Sequence, residues 1–351
     1  IIASSSGIIA SSSGIIASLS GIIASQRGKF GVLNTKKCLP LRFVESNRII
    51  VDIFVHLYQS NRNKTFMETG LMIALGISLV VGILLIMFNS VSTEATKYKK
   101  TLEYVHFDMD TPLTENELQH RLSLLQLDKY WQELQPLMKY EITIKPLPCE
   151  DDHIEIAHSK TGGFPHLPAD EDIEEGFLFL AQINCAQLKP FDNENLFPDK
   201  GMLSFFLHPQ KMETDLNNSL MVRYTSSTDN LMIRKDISAF PKIKPALLQF
   251  VQTVSLPEYD TNFIQNLLKD YEIDGYFKLT NKEKCHKIAG YPDTVTQPVS
   301  INEDKILLLQ LDSDELMAMQ WGNMGRIYIC IEKNKLHDLQ FNDLYVYMQS
   351  Y

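Results

Sequence analysis

From Leu71 to Phe88 the chain runs for 18 residues without a charge, LMIALGISLVVGILLIMF, and leaves no polar face. As a helix at 1.5 Å per residue the run is about 27 Å long. That is close to the ~30 Å hydrocarbon core of a bilayer, so the pattern predicts a single membrane span. Residues 90–111 are polar with no clear period, which predicts a connector. Thr114 and Glu117 then have capping-box spacing, and Leu118, Leu122, Leu125, Trp131, Leu134 and Met138 recur at helical spacing. A helix packed on a sheet follows from that stripe, ended by Pro146 and Pro148. Residues 153–157 alternate apolar and polar as a strand should.

One pattern then occurs twice. Gly162-Gly163-Phe164-Pro165 leads into an apolar run at 179–184 and a glycine-led strand at 201–206. Ala289-Gly290-Tyr291-Pro292 leads into a run at 308–312 and a second glycine-led strand at 325–329. From the glycine before the aromatic-Pro pair to Gln182 is 19 residues, and to Gln310 it is 20. Recurrence in one order at one spacing predicts a duplicated unit. The expected fold class is α+β: a pseudo-two-fold, mixed or antiparallel sheet domain with flanking helices, preceded by one transmembrane helix. Between the copies, residues 220–224 and 231–234 read as short strands, 260–271 as a helix, and 276–285 as a lysine-rich crossing segment.

The resulting organisation has four parts: a leader over residues 1–66, a membrane anchor over 67–90, a linker over 91–112, and a domain over 113–351 with halves at about 150–210 and 280–351. In the leader, Ile-Ile-Ala-Ser-Ser-Ser-Gly repeats at 1–7 and 8–14 and recurs with changes to residue 28. Ser and Gly in most positions leave no heptad seam, and no basic residue leads the apolar positions as in a signal peptide. Met67 is the expected start of the native product.

Charge divides the chain. Residues 1–100 hold 11 Lys or Arg against 4 Asp or Glu, and residues 101–351 hold 22 against 39, a formal −17. Such a surface repels phosphate backbones, which argues against nucleic acid, and attracts a basic protein partner. Lys97, Lys99 and Lys100 after the span place the C-terminal domain on the cytoplasmic side of an inner or cytoplasmic membrane. Ala74, Ser78 and Gly82 share one helix face, a small-residue pattern that permits a homodimer. The five cysteines are widely spaced with no Cys-x-x-Cys, which excludes a zinc ribbon and argues against a disulfide framework.

Several stretches carry a family resemblance. They are residues 159–168, SKTGGFPHLP; 179–184; 197–206; His286 to Pro292 with Gln297; 307–314, LLLQLDSD; Trp321-Gly322-Asn323-Met324-Gly325; and Asp338-Leu339-Gln340-Phe341. In this order, over roughly residues 120–351, the chain resembles the bacterial YwqG-like family. The resemblance implies an α+β domain of uncharacterised function and supplies no catalytic set. Asn323 departs from the Asp that tends to follow Trp-Gly in that family, and the tail Tyr347-Met348-Gln349-Ser350-Tyr351 lacks its Asp-Cys pair.

Read without the family, Gly162-Gly163-Phe164-Pro165 is a rigid bend. A phosphate cradle would need a helix directly after it, and none is predicted. Gln182 and Gln310 sit in otherwise apolar strands, where an amide either pins backbone or faces a ligand. Asp312 and Asp314, with Glu315, lie at the end of a buried run. They read as a metal or acid–base site, or as the cap of a helix over residues 316–320. Trp321 is either a binding lip or packing between the halves. The histidines are scattered without ligand spacing, so no metal site and no cofactor are expected. The sequence therefore describes a membrane-tethered binding or interaction module with an acidic surface, immunity-like or regulatory. The alternative is a metal-dependent enzyme or small-ligand sensor using Gln182, Gln310, Asp312, Asp314 and Trp321.

Overall fold

A computed structural model describes residues 64–108, 111–280, 285–299 and 304–351, with side chains from residue 76 onward. The repeat leader lies outside them up to residue 63. The chain divides into two compact units, residues 1–89 and 90–351.

A continuous helix, α1 (Lys64–Tyr104), begins in the first unit. Its apolar side chains, including Leu79, Leu84, Ile86 and Phe88, are exposed rather than packed on protein. By length and composition Gly76–Tyr104 is long and apolar enough to cross a membrane. Past Ser90, where a polar connector was expected, the helix continues, and its end is held by the second unit. Tyr98 is buried there, over a glycine that leaves it room: a Cβ on Gly275 would lie 2.1 Å from the Tyr98 hydroxyl. Lys278 Nζ donates to the carbonyls of Leu102, at 3.1 Å, and Val105, so a positive charge sits at the negative end of the helix dipole.

The rest of the second unit is a mixed helix and antiparallel-sheet structure. Its strands are β1 (Lys139–Pro148), β2 (Lys160–Thr161), β3 (His166–Leu167), β4 (Leu178–Asn184), β5 (Met202–Leu207), β6 (Leu220–Thr225), β7 (Met232–Ile233), β8 (Ala246–Ser255), β9 (His286–Ala289), β10 (Lys305–Asp312), β11 (Arg326–Glu332) and β12 (Tyr345–Gln349). Ten of them form one sheet in the order β12-β11-β10-β9-β1-β8-β2-β4-β5-β6, while β3 pairs only with β7. Its centre is the β1–β8 ladder, in register from Lys139 opposite Ser255 to Pro148 opposite Ala246. Outward from β1 run β9, β10, β11 and β12, and outward from β8 run β2, β4, β5 and β6.

The two edges of this sheet come back towards each other. The Val346 amide of β12 donates to Asn217 Oδ1 at 3.2 Å, just before β6, and the rings of Tyr224 and Phe341 lie 6.1 Å apart. The sheet is thus nearly closed and barrel-like, and its interior holds apolar side chains from both sides, among them Ile183, Phe205, Leu309, Ile329 and Trp321. A second core forms outside it. There α2 (Glu115–Leu124), α3 (Asn262–Leu267) and α4 (Ile273–Thr280) place Leu118, Leu122, Ile264 and Tyr276 against Val254 of β8. Thr114 caps α2 as expected, its hydroxyl accepting from the Glu117 amide at 3.3 Å.

Several elements differ from the sequence reading. Pro146 and Pro148 lie inside β1 rather than beyond a helix. The amide of Cys149 donates to the Pro245 carbonyl on the β8 side, so by alternation the nitrogens of both prolines point the other way. On that side β9 pairs only with Glu141 to Ile144, and no ladder bond is lost. Residues 153–157 form no strand, Ala157 standing in left-handed backbone at φ 69°. The lysine-rich crossing segment begins as α4.

Candidate functional site

Two lysines are fully buried, Lys160 on β2 and Lys287 on β9, each where an outer group of strands leaves the central ladder. A buried ammonium must be paired and hydrogen-bonded to be tolerated. Lys160 Nζ meets the Asp151 carboxylate and donates to the Phe164 carbonyl at 2.9 Å. Lys287 Nζ lies 3.0 Å from Glu141 Oε2 and 2.8 Å from Asp293 Oδ1. Burial lowers the Lys160 pKa despite the Asp151 charge that opposes the shift.

Opposite each lysine on the next strand is a buried glutamine, Gln182 facing Lys160 and Gln310 facing Lys287. Gln182 Nε2 donates to the His158 carbonyl at 2.8 Å, and its Oε1 accepts from the His166 amide at 2.8 Å. Gln310 Nε2 donates to the Cys285 carbonyl at 2.9 Å, and its Oε1 accepts from the Asp293 amide at 3.0 Å. Each glutamine therefore grips the residue two before its lysine and the residue six after. The amides pin backbone within their own half, and their remaining contacts, to His166 Nδ1 and Asp293 Oδ2, close each node.

Between lysine and returning residue the chain must double back. Gly162 and Gly163 do so at φ 63° and 66°, and Ala289 and Gly290 at 59° and 71°. The second residue of each pair, a glycine in both, also makes room for the counter-ion. A Cβ on Gly163 would stand 2.1 Å from an Asp151 carboxylate oxygen, and on Gly290 it would stand 2.6 Å from Glu141 Cβ.

The nodes differ at the returning residue. Asp293 brings Lys287 a second carboxylate, whereas His166 at the matching place is fully buried and its pKa is pushed down to about 4, chiefly by burial and then by Lys160. The Ala157 amide donates to His166 Nδ1 at 3.2 Å, which puts the ring proton on Nε2, an atom without a partner among the described residues.

Asp312 and Asp314 sit beside the Lys287 node. Arg326 Nε donates to Asp312 Oδ2 at 2.7 Å and its Nη1 to the Asp293 carbonyl at 2.8 Å. The Cys285 amide also donates to Asp312 Oδ2, at 3.1 Å. His286 Nδ1 accepts from the Asp312 amide at 3.1 Å, so its Nε2 carries the proton directed at Asp314 Oδ2, 3.2 Å away. The helix expected over residues 316–320 is absent. Asp314 Oδ1 accepts from the Leu316 amide, Ala318 is left-handed at φ 51°, and an Asp314–Met319 bridge closes a tight turn. Trp321 is packed inside with its ring 5.9 Å from Phe240, not presented as a lip.

The five residues singled out from sequence do not share one cavity. Gln310 and Asp312 belong to the Lys287 node, Asp314 adjoins it through His286, Gln182 belongs to the Lys160 node, and Trp321 is core. Among the described residues no group of three or more His, Cys, Asp or Glu is placed to hold a metal. Lys160, Lys287, Glu141, Asp293 and Arg326 were missed. A signal for the lysines was there: Lys160 and Lys287 each precede the aromatic-Pro pair by four residues.

This is a nearly closed antiparallel sheet with two ion-paired nodes built into its strands. Residues 159–350 match a family described as a domain of unknown function (DUF1963), and the chain belongs to that family. Both lysines lie inside the matched residues, while Asp151 and Glu141, which neutralise them, lie before it. No curated protein matches the chain.

Proposed function

We propose that the protein is a non-catalytic binding module, tethered to a membrane by α1, whose acidic surface holds a basic protein partner. The carrying observation is the formal −17 over residues 101–351, in a domain whose buried lysines each spend their charge on internal carboxylates. The nodes act as scaffold, and the net negative charge is left to the surface. On this reading the domain faces the cytoplasm, and the resemblance to the YwqG-like family extends to a common role. The parallel grip of Gln182 and Gln310 supports descent of the two halves from one duplicated unit.

Crosslinking of the full chain in membranes at low ionic strength tests the reading. One discrete basic protein is expected, and its yield should collapse near 1 M salt, where the Debye length is about 3 Å. Recovery of no basic partner, or of one indifferent to salt, removes the proposal. The metal-dependent alternative draws on the His286–Asp314 contact. Calorimetry with magnesium, calcium and manganese on the wild type and on Asp312→Asn decides it, since binding that the substitution abolishes would favour that alternative.

A further inference from the structure

Between the segment that follows β8 and the turn that follows β9 lies an open cleft of about 270 Å³. Its walls include the rings of Tyr259 and Phe277, the carboxylates of Glu258, Asp260 and Asp293, and Thr294. The two rings meet edge to face, with centroids 5.2 Å apart at 86°, and both are partly exposed. The acids are not alike. Asp293 shares Lys287 with Glu141, whereas Glu258 and Asp260 form no ion pair among the described residues. Glu258 is held in place instead, accepting from the Thr294 amide at 2.5 Å and from the Thr294 hydroxyl. Burial raises its pKa, against the two Thr294 hydrogen bonds that hold it down, and the Asp260 and Asp293 charges add to the rise.

A fixed, partly desolvated carboxylate without a cation beside it is costly, and aromatic faces attract cations by their quadrupole. The cleft is slightly smaller than the ~300–1,000 Å³ usual for small-molecule sites. It therefore suits a group the size of one side chain rather than a cofactor. We propose that this cleft binds an alkylammonium or alkylguanidinium group, its apolar stem against Tyr259 and Phe277 and its charge on Glu258 and Asp260. The inference rests on the reading of the domain as an acidic binding module and names the chemistry its partner offers. The cation is either a lysine or arginine side chain of that partner or a free amine.

The test is titration of the full chain in detergent micelles, followed by nuclear magnetic resonance and calorimetry. The probes are n-butylguanidinium, n-butylammonium, the neutral alcohol n-pentanol, spermidine and a short arginine-bearing peptide. Both butyl cations should bind at the Phe277 and Tyr259 resonances, and n-pentanol should bind at least about 10-fold more weakly. Glu258→Gln and Asp260→Asn should each weaken the cations about 3- to 10-fold, while Glu213→Gln, away from the cleft, leaves them unchanged. Phe277→Leu should weaken the cations with the carboxylates intact, so the result does not depend on one variant folding. A peptide tighter than spermidine assigns the cation to a protein partner, and the reverse assigns it to a free amine. Equal binding of n-pentanol, or cation binding that all three cleft substitutions leave alone, overturns the proposal. If the salt-sensitive partner is still captured in that case, the cleft alone has failed; loss of both removes the binding-module reading as well.

Discussion

At Lys287 three charges have been moved out of water together. Its ammonium contacts Glu141 and Asp293, and both Lys287 and Glu141 are fully buried. Removing one partner of such a set strands the others, which costs about 3–5 kcal/mol where it has been measured. Lys287→Met should therefore lower the unfolding free energy by about that amount, and adding Glu141→Gln should restore part of it. Urea denaturation of the two single variants and the double variant gives the coupling, and strictly additive losses would contradict the node. His166 supplies a pH dependence. Its pKa is about 4 in the fold against 6.5 ordinarily, so between those values the unfolded chain binds the extra proton. Stability from this residue is present in full above pH 6.5 and lost as pH falls towards 4, by on the order of 3 kcal/mol. His166→Asn should remove that share of the acid loss, read as the difference between urea curves at the two ends of the window. Both lysines escaped the sequence reading for one physical reason: lysine is nearly always at the surface, and which carboxylates come to face it inside is decided by the fold, as with Glu141, which meets Lys287 from another strand. Gln182 and Gln310 were legible because an amide inside an apolar run announces its own need for partners.

At the scale of elements, what was legible is what local sequence decides. The Thr114 cap, β4 to β6 and the glycine-led β11 follow from side-chain hydrogen bonding and apolar runs. β1 was not legible, because two prolines argue against a strand until it is known that its pairing with β9 ends at Ile144 and leaves their nitrogens facing no ladder partner. β8, the other half of the central ladder, was also missed; Gln249 and Gln252 interrupt its apolar run, and its pairing with β1 is fixed only by the fold. The turns after β2 and β9 carry a testable demand. Gly163 and Gly290 combine left-handed backbone, which costs a residue with Cβ about 1–2 kcal/mol, with a counter-ion in the space a side chain would take. Gly163→Ala and Gly290→Ala should each lose about 2 kcal/mol or more of stability. Gly76→Ala, on an open helix face, should not lower it. Thermal unfolding of the three checks this, and a melting temperature unmoved in Gly290→Ala would be incompatible with the turn described.

For the whole molecule the decisive contrast is between two kinds of surface. On α1 the side chains of Ile77, Leu79, Val80 and Ile83 to Phe88 are exposed, and the domain after it carries a large negative charge that no lipid core tolerates. Water alone is a poor solvent for the first, and a bilayer interior is a poor one for the second. An anchored domain satisfies both, which is the reason for reading α1 as a tether. Charge placed in the middle of the run tests that reading directly, since each lysine at a helix centre costs about 2.5–3.5 kcal/mol of insertion. The full chain should stay in the membrane pellet after alkaline carbonate extraction, and the Val80→Lys, Leu84→Lys variant should move to the supernatant or be degraded. Both positions are exposed on α1 and distant in sequence from Tyr98, so the docked end of the helix is untouched. A wild-type chain recovered in the carbonate supernatant would mean that the apolar run is covered by protein instead, and the tether would have to be abandoned.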